Sequence, residues 1–137
     1  MTLQDIRVNY QLLLALGDKR LPVRLGYAIS RNLDKLKAEY ERSETERTKL
    51  CEQYADKDED GKPILSKSVI NGEQVTGYQI PDDKREEFAA QLTELYDTDV
   101  PLDLMTVDES VLDLLDSDRY DALTPAELYG IDWMIKR

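Results

Sequence analysis

Residues 22–56 read PVRLGYAISRNLDKLKAEYERSETERTKLCEQYAD, and this stretch decides the fold. Ile29, Leu33, Leu36, Tyr40, Ser43, Arg47, Leu50 and Tyr54 step through it alternately by four and three residues. That is the a/d stripe of a coiled coil, interrupted by the polar Ser43 and Arg47. Opposite charges four apart, Lys37–Glu41 and Arg42–Glu46, suit a solvated outer face. Pro22 suits the first helical position, where a missing N–H costs nothing. The pattern predicts one helix over 22–56, far longer than the usual length of about 11–12 residues. One narrow stripe cannot be buried by its own helix, so another helix must cover it, from this chain or from a second copy. Ile29, Leu33, Leu36, Tyr40, Leu50 and Tyr54 are therefore also a candidate homodimer seam.

Ahead of it, Leu3, Ile6, Tyr10, Leu13 and Leu14 fall at helical spacing. They predict a helix over 3–16, largely buried through the apolar run Leu12–Leu16 and closed by Gly17. Behind it, Asp56–Gly61 is a charged turn cluster. Two β-rich runs, Ile64–Ile70 and Val75–Ile80, flank Asn71-Gly72-Glu73-Gln74, a strong hairpin signal. Asp83 with Glu86 has capping-box spacing, and Phe88, Ala89, Leu92, Leu95 and Tyr96 make the apolar face of a helix that can return along the long one. Alternation over Asp99–Thr106 predicts a third strand added to the hairpin. Thr106 with Glu109 predicts a second capping box and a short helix to about Leu115. Thr124-Pro125-Ala126-Glu127 is the cleanest helix start in the chain, leading to a last helix with Leu128, Ile131, Trp133, Met134 and Ile135 and a basic end at Lys136 and Arg137. Trp133 and Met134 read as a docking anchor into the core. The whole is expected to be a single α+β domain over 1–137, mostly helical: a long coiled-coil-like helical hairpin, a small antiparallel sheet and packed terminal helices.

Charge is distributed very unevenly. Residues 1–80 hold 13 acids and 13 bases, whereas 81–137 hold 16 acids and 5 bases, so the net −11 sits wholly in the second part. Its densest segment carries Asp97, Asp99, Asp103, Asp108, Glu109, Asp113, Asp116, Asp118 and Asp121, with Arg119 as the only base between them. Such a field repels nucleic acid and anionic membranes and attracts basic surfaces. Three readings of the segment stand side by side: a solvated surface, one half of a charge-complementary interface, or an imitation of nucleic-acid phosphates. Val111, Leu112, Leu114 and Leu115 interleave the acids, which predicts an ordered segment.

Other chemistry finds little support. Histidine is absent, which removes the commonest general base and transition-metal ligand. Cys51 is the only cysteine; it reads as a small apolar group beside the stripe. Asp56, Asp58, Asp60 and Gly61 match the first half of an EF-hand loop, but Lys67 stands where the closing bidentate Glu belongs, so a solvated acidic turn is the reading. Paired carboxylates, Asp116 with Asp118 or Asp97 with Asp99, have no nucleophile or substrate-cradling loop beside them. No catalytic residue, cofactor or metal is expected. No apolar run reaches the roughly 18 residues of a membrane span, and the N-terminus lacks a signal-peptide pattern, so the expected location is the cytoplasm.

The order of several pieces resembles a family of small uncharacterised tailed-phage proteins. They are Lys19-Arg20-Leu21-Pro22-Val23, Tyr27-Ala28-Ile29-Ser30-Arg31-Asn32, Tyr54-Ala55-Asp56-Lys57-Asp58-Glu59-Asp60-Gly61, the hairpin, and Leu123-Thr124-Pro125-Ala126-Glu127-Leu128 to Trp133-Met134-Ile135. The resemblance implies a phage or prophage gene product made in a bacterial host cell, and brings no catalytic residues. Two functions fit that context. One is a non-enzymatic accessory factor in assembly or replication, bound to a protein with a basic surface. The other is an acidic inhibitor of a host defence or nucleic-acid enzyme, of anti-CRISPR or anti-restriction type.

Overall fold

The computed structural model describes residues 1–70 and 72–137, with 68–70 and 73–76 described by backbone alone. The protein is α+β and mostly helical. Two compact units form: residues 1–41 with 99–137, and residues 42–98. One helix, α2 (Val23–Tyr54), contributes to both.

The first unit opens with α1 (Leu3–Leu16). Thr2 and Asp5 form a reciprocal capping box that the reading above missed: the Asp5 N–H donates to Thr2 Oγ1 at 3.1 Å and the Thr2 N–H to Asp5 Oδ2 at 3.2 Å. Leu3, Ile6, Leu13 and Leu16 are buried, but Leu14 is exposed, so α1 presents one apolar face rather than an apolar girdle. Gly17 ends the helix with a right-handed φ of −61° and needs no glycine freedom.

Pro22 stands one position ahead of α2, its carbonyl accepting from the Gly26 N–H at 2.9 Å. In this unit α2 buries Leu25, Ala28, Ile29, Asn32 and Leu36, a wider stripe than the a/d seam. Fully burying an aliphatic side chain of this kind is worth about 1.5–3 kcal/mol. Tyr40 stacks on Tyr10, with ring centroids 4.7 Å apart.

The segment expected as a third strand, 99–106, forms no ladder with the hairpin. It is extended and pinned at separate points. Thr2 bridges Asp99, and the Val100 N–H donates to the Met1 carbonyl at 2.9 Å. Lys35 Nζ donates to the Asp103 carbonyl. Met105 exchanges both backbone bonds with the Asn32 amide, at 2.7 and 2.9 Å. Next comes β3 (Val107–Asp108), which pairs in parallel with β4 (Ile135–Lys136).

The expected capping box at Thr106 does not form. Asp108 caps instead, accepting from the Ser110 N–H at 2.9 Å, and the helix over Glu109–Asp116 is 3-10. A tight helix lets Val111 be buried while the intervening acids stay in water.

The capping box at Thr124 and Glu127 is formed as read, with Pro125 at the start of α4 (Pro125–Gly130). That helix is much shorter than expected. Asp132–Met134 is a 3-10 turn, and Ile135 and Lys136 leave as β4, so the basic end faces no helix dipole. Ile131 and Met134 are the buried anchors, whereas Trp133 is half-buried. The turn at Lys19-Arg20 clamps this region. Lys19 pairs with Glu127 at 2.9 Å, and the Arg20 N–H donates to Asp121 Oδ2 at 2.7 Å.

In the second unit the end of α2 pairs antiparallel with α3 (Arg85–Tyr96). Tyr54 meets Phe88 edge-on at 5.9 Å and donates its hydroxyl to Glu87 at 2.9 Å. Further along, Glu46 and Leu50 share one shallow cleft with Gln91, Glu94, Leu95 and Thr98. No residue of α3 is fully buried. The Asp83–Glu86 capping box is absent; Asp82–Lys84 forms a 3-10 turn and Lys84 precedes α3 without a side-chain cap.

Between these helices lies an antiparallel hairpin, β1 (Leu65–Ile70) with β2 (Glu73–Tyr78). Ile70 pairs with Glu73 and Val69 with Gln74, so Glu73 and Gln74 belong to a strand and not to the turn. Gly72 has φ +81°, the left-handed geometry that favours glycine. Asn71, read as the turn's first residue, lies outside the described residues.

Candidate functional site

The nine acids expected to meet a partner do not form one group. Asp97 closes α3 in the second unit, and the other eight belong to the first. Three of these eight are occupied within the fold. Asp99 pairs with the Met1 ammonium at 3.1 Å. Asp108 is a helix cap; the hydrogen bond from the Ser110 backbone holds its carboxyl below the ordinary range. Asp121 is held low in the same way by the Arg20 backbone N–H, reinforced by the Arg20 guanidinium at 3.2 Å.

Asp103, Glu109, Asp113, Asp116 and Asp118 point into solvent. Among the described residues none of the five has an ion-pair partner. Side chains three apart eclipse in a 3-10 helix, so Ser110, Asp113 and Asp116 make one ridge. The next ridge carries Glu109 above the half-buried Leu112 and Leu115. Packing of the leucines thus fixes the rotation of the helix and turns the carboxylates outward. Unpaired, solvated carboxylates on a rigid ridge attract cations without first losing an internal partner.

Three of the six proposed seam residues are covered within the chain and three are partly covered. Ile29, Leu36 and Tyr54 are buried, and Leu33, Tyr40 and Leu50 are half-buried. Cys51 is buried beside them, and desolvation raises its thiol pKa. The EF-hand-like turn is closed by its own side chain, with Asp58 Oδ1 accepting from the Asp60 and Lys62 N–H groups at 3.0 and 2.9 Å. Among the described residues no three acidic or thiol side chains converge as metal ligands.

One feature escaped the sequence pattern altogether. Val23, Arg24 and Tyr27 of α2 and residues 105–111 enclose a groove of about 480 Å³. Its floor is apolar, and Val23, Tyr27 and Met105 are 82%, 54% and 39% exposed. The only prior signal was that Val23 and Tyr27, four apart, lie off the a/d stripe.

Protein-family models, curated proteins and solved structures were compared with the chain, and none matched. Among the described residues no helix is long and apolar enough to cross a membrane.

Proposed function

We propose that this protein is a non-enzymatic accessory factor that binds a protein partner with a basic surface. Such a factor fits the phage or prophage context that the resemblance noted above implies. The observation that carries the reading is the exposed ridge of Asp113 and Asp116, flanked by Glu109 and Asp118, none of which has an ion-pair partner among the described residues. Charge pairing of this kind speeds encounter and selects partners more than it adds affinity. The seam is covered or partly covered by the chain itself, which favours a monomer as the acting species.

A second reading is an acidic inhibitor that occupies a nucleic-acid cleft, and charge density favours it. The 3-10 helix Glu109–Asp116 carries three carboxylates over about 16 Å, roughly one per 5 Å, against about one per 3.4 Å along a nucleic-acid strand.

Affinity capture from a bacterial host lysate, with wild type beside an Asp113→Lys/Asp116→Lys/Asp118→Lys variant, tests both. A partner held at low salt, released at high salt and absent with the variant is the expected result. Partners unchanged by the variant overturn the acidic-ridge reading. Displacement of the partner by duplex DNA selects the inhibitor over the accessory factor.

A further inference from the structure

We propose that the groove between the start of α2 and residues 105–111 docks an amphipathic segment of the partner, with apolar anchors and cations along one flank. This inference rests on the reading that the acidic ridge meets a basic partner, and it names the part of that partner that makes the contact.

The groove has the size of a ligand-binding cleft, which usually spans about 300–1,000 Å³. Its apolar floor is made by Val107 and Val111, with Val23, Tyr27 and Met105 at the exposed edges. Exposed apolar side chains that meet in one concavity mark an interaction surface, unlike apolar residues scattered singly.

Charge says what kind of segment fits. On one side, residues 103–116 hold Asp103, Asp108, Glu109, Asp113 and Asp116 and no base. On the other, α2 carries Arg24 and Arg31, with no acid between residues 23 and 33. Three further cations lie near the acidic side: Lys35, whose Nζ donates to the Asp103 carbonyl, Lys136, in register with Asp108, and Arg137, which is paired with Asp132 at 2.6 Å. A segment basic on both flanks would set cations against Arg24. One with its cations toward residues 108–116 meets carboxylates there and leaves Arg24 facing its neutral or acidic flank. The groove therefore selects direction as well as sign. A second copy of this chain fits less well, because two bodies each carrying −11 repel at long range. Nucleic acid and anionic lipid are repelled for the same reason.

The test uses the full chain, isotope-labelled for amide NMR, and synthetic helical Leu/Lys peptides. One peptide carries Lys on one flank of its Leu face, a second carries Lys on both flanks, and a third replaces Lys by Glu. The one-flank peptide is expected to shift the amides of Val23, Tyr27, Met105 and Val111. Binding should weaken about tenfold or more in Tyr27→Asp and in Val23→Asp, both at exposed positions where folding is preserved. The two-flank peptide should bind more weakly and the Glu peptide not at all.

Equal binding of the Glu peptide overturns the proposal. So does a free protein that sediments as a dimer and becomes a monomer in Tyr27→Asp, since a second copy then fills the groove. If Asp113→Lys/Asp116→Lys abolishes peptide binding while Tyr27→Asp leaves it intact, the acidic-ridge reading stands and the groove falls. If neither variant weakens binding, both fall.

Discussion

The side-chain amide of Asn32 holds Met105 by both of its backbone groups, accepting from the N–H at 2.7 Å and donating to the carbonyl at 2.9 Å. Asn32 is fully buried in the helix face that covers the first unit, and here it does the work of a neighbouring strand. A buried polar group is tolerated only when paired, and this pairing removes two orphan backbone groups at once. Asn32→Ala is therefore expected to destabilise the protein by about 2–4 kcal/mol, since it strands a donor and an acceptor. Asn32→Asp keeps the acceptor but buries a carboxylate against the Met105 carbonyl, so at neutral pH it should cost at least as much as Asn32→Ala. Urea unfolding measures both, and a loss below about 0.5 kcal/mol for Asn32→Ala would contradict the role.

Gly130 packs directly on Leu12. A Cβ built there would lie 2.4 Å from Leu12 Cδ2, so Gly130→Ala forces that side chain to move. Leu12 is half-buried and the clash is with the end of its side chain, so the expected cost is at most about 1 kcal/mol, the low end for overpacking. Adding Leu12→Ala should recover part of it. Gly26→Ala provides the contrast: nothing lies within 4 Å of its Cβ position in the interior of α2, and a gain of about 0.5–1 kcal/mol is expected. Thermal unfolding of the four proteins decides the matter.

Acid should weaken the first unit. Asp108, Asp121 and Glu127 each titrate below the ordinary carboxylate range, held there first by backbone hydrogen bonds from Ser110, Arg20 and Thr124. A carboxyl depressed on folding adds stability that is present above its unfolded value, about 4, and lost as the pH falls through the folded one. Stability measured from pH 6 downward should therefore begin to drop near pH 4. In Asp121→Asn/Glu127→Gln the drop should be shallower; an unchanged slope would show that these bonds do not couple to folding.

Thr124→Ala should cost about 1 kcal/mol, the usual value of an N-cap. It removes the Oγ1 that accepts from the Glu127 N–H at 3.1 Å, while the Glu127 carboxylate keeps its bonds from the residue-124 backbone N–H and from Lys19, both at 2.9 Å. Thr124→Ser should restore the wild-type melting temperature; failure to do so would place the effect elsewhere.

The long helix, the α2–α3 pairing and the hairpin were legible because each rests on local periodicity or turn chemistry. The same holds for the capping box at Thr124. Residues 99–106 were misread because alternation reports only that two sides of a segment differ; it cannot say whether a strand or an asparagine side chain supplies the hydrogen bonds. The last helix was overdrawn because Leu128, Ile131 and Met134 suit helical spacing, yet the chain gains more by sending Ile135 and Lys136 into a parallel pair with β3. The acids were visible as charge but not as geometry: Asp99, Asp108 and Asp121 turn out to be structural, and the 3-10 period eclipses Asp113 and Asp116 on one ridge. The groove at Tyr27 was invisible because two thirds of its lining comes from a segment about 80 residues away in the chain.

The division of the chain also sets an order of events. Residues 42–98 are contiguous, so their helical pair and hairpin can form from near neighbours as soon as they leave the ribosome. The other unit must wait. Its clamp joins Lys19 to Glu127 and Arg20 to Asp121, partners 108 and 101 positions apart, and neither bond can close until the end of the chain has been synthesised. Until then α1 and the start of α2 can cover each other, as where Tyr10 stacks on Tyr40, but the apolar surface that residues 99–137 cover stays in water. The interval between synthesis of residue 41 and that of residue 127 is thus the protein's period of greatest exposure to aggregation, and early folding of the inserted unit shortens the loop that the final closure must span.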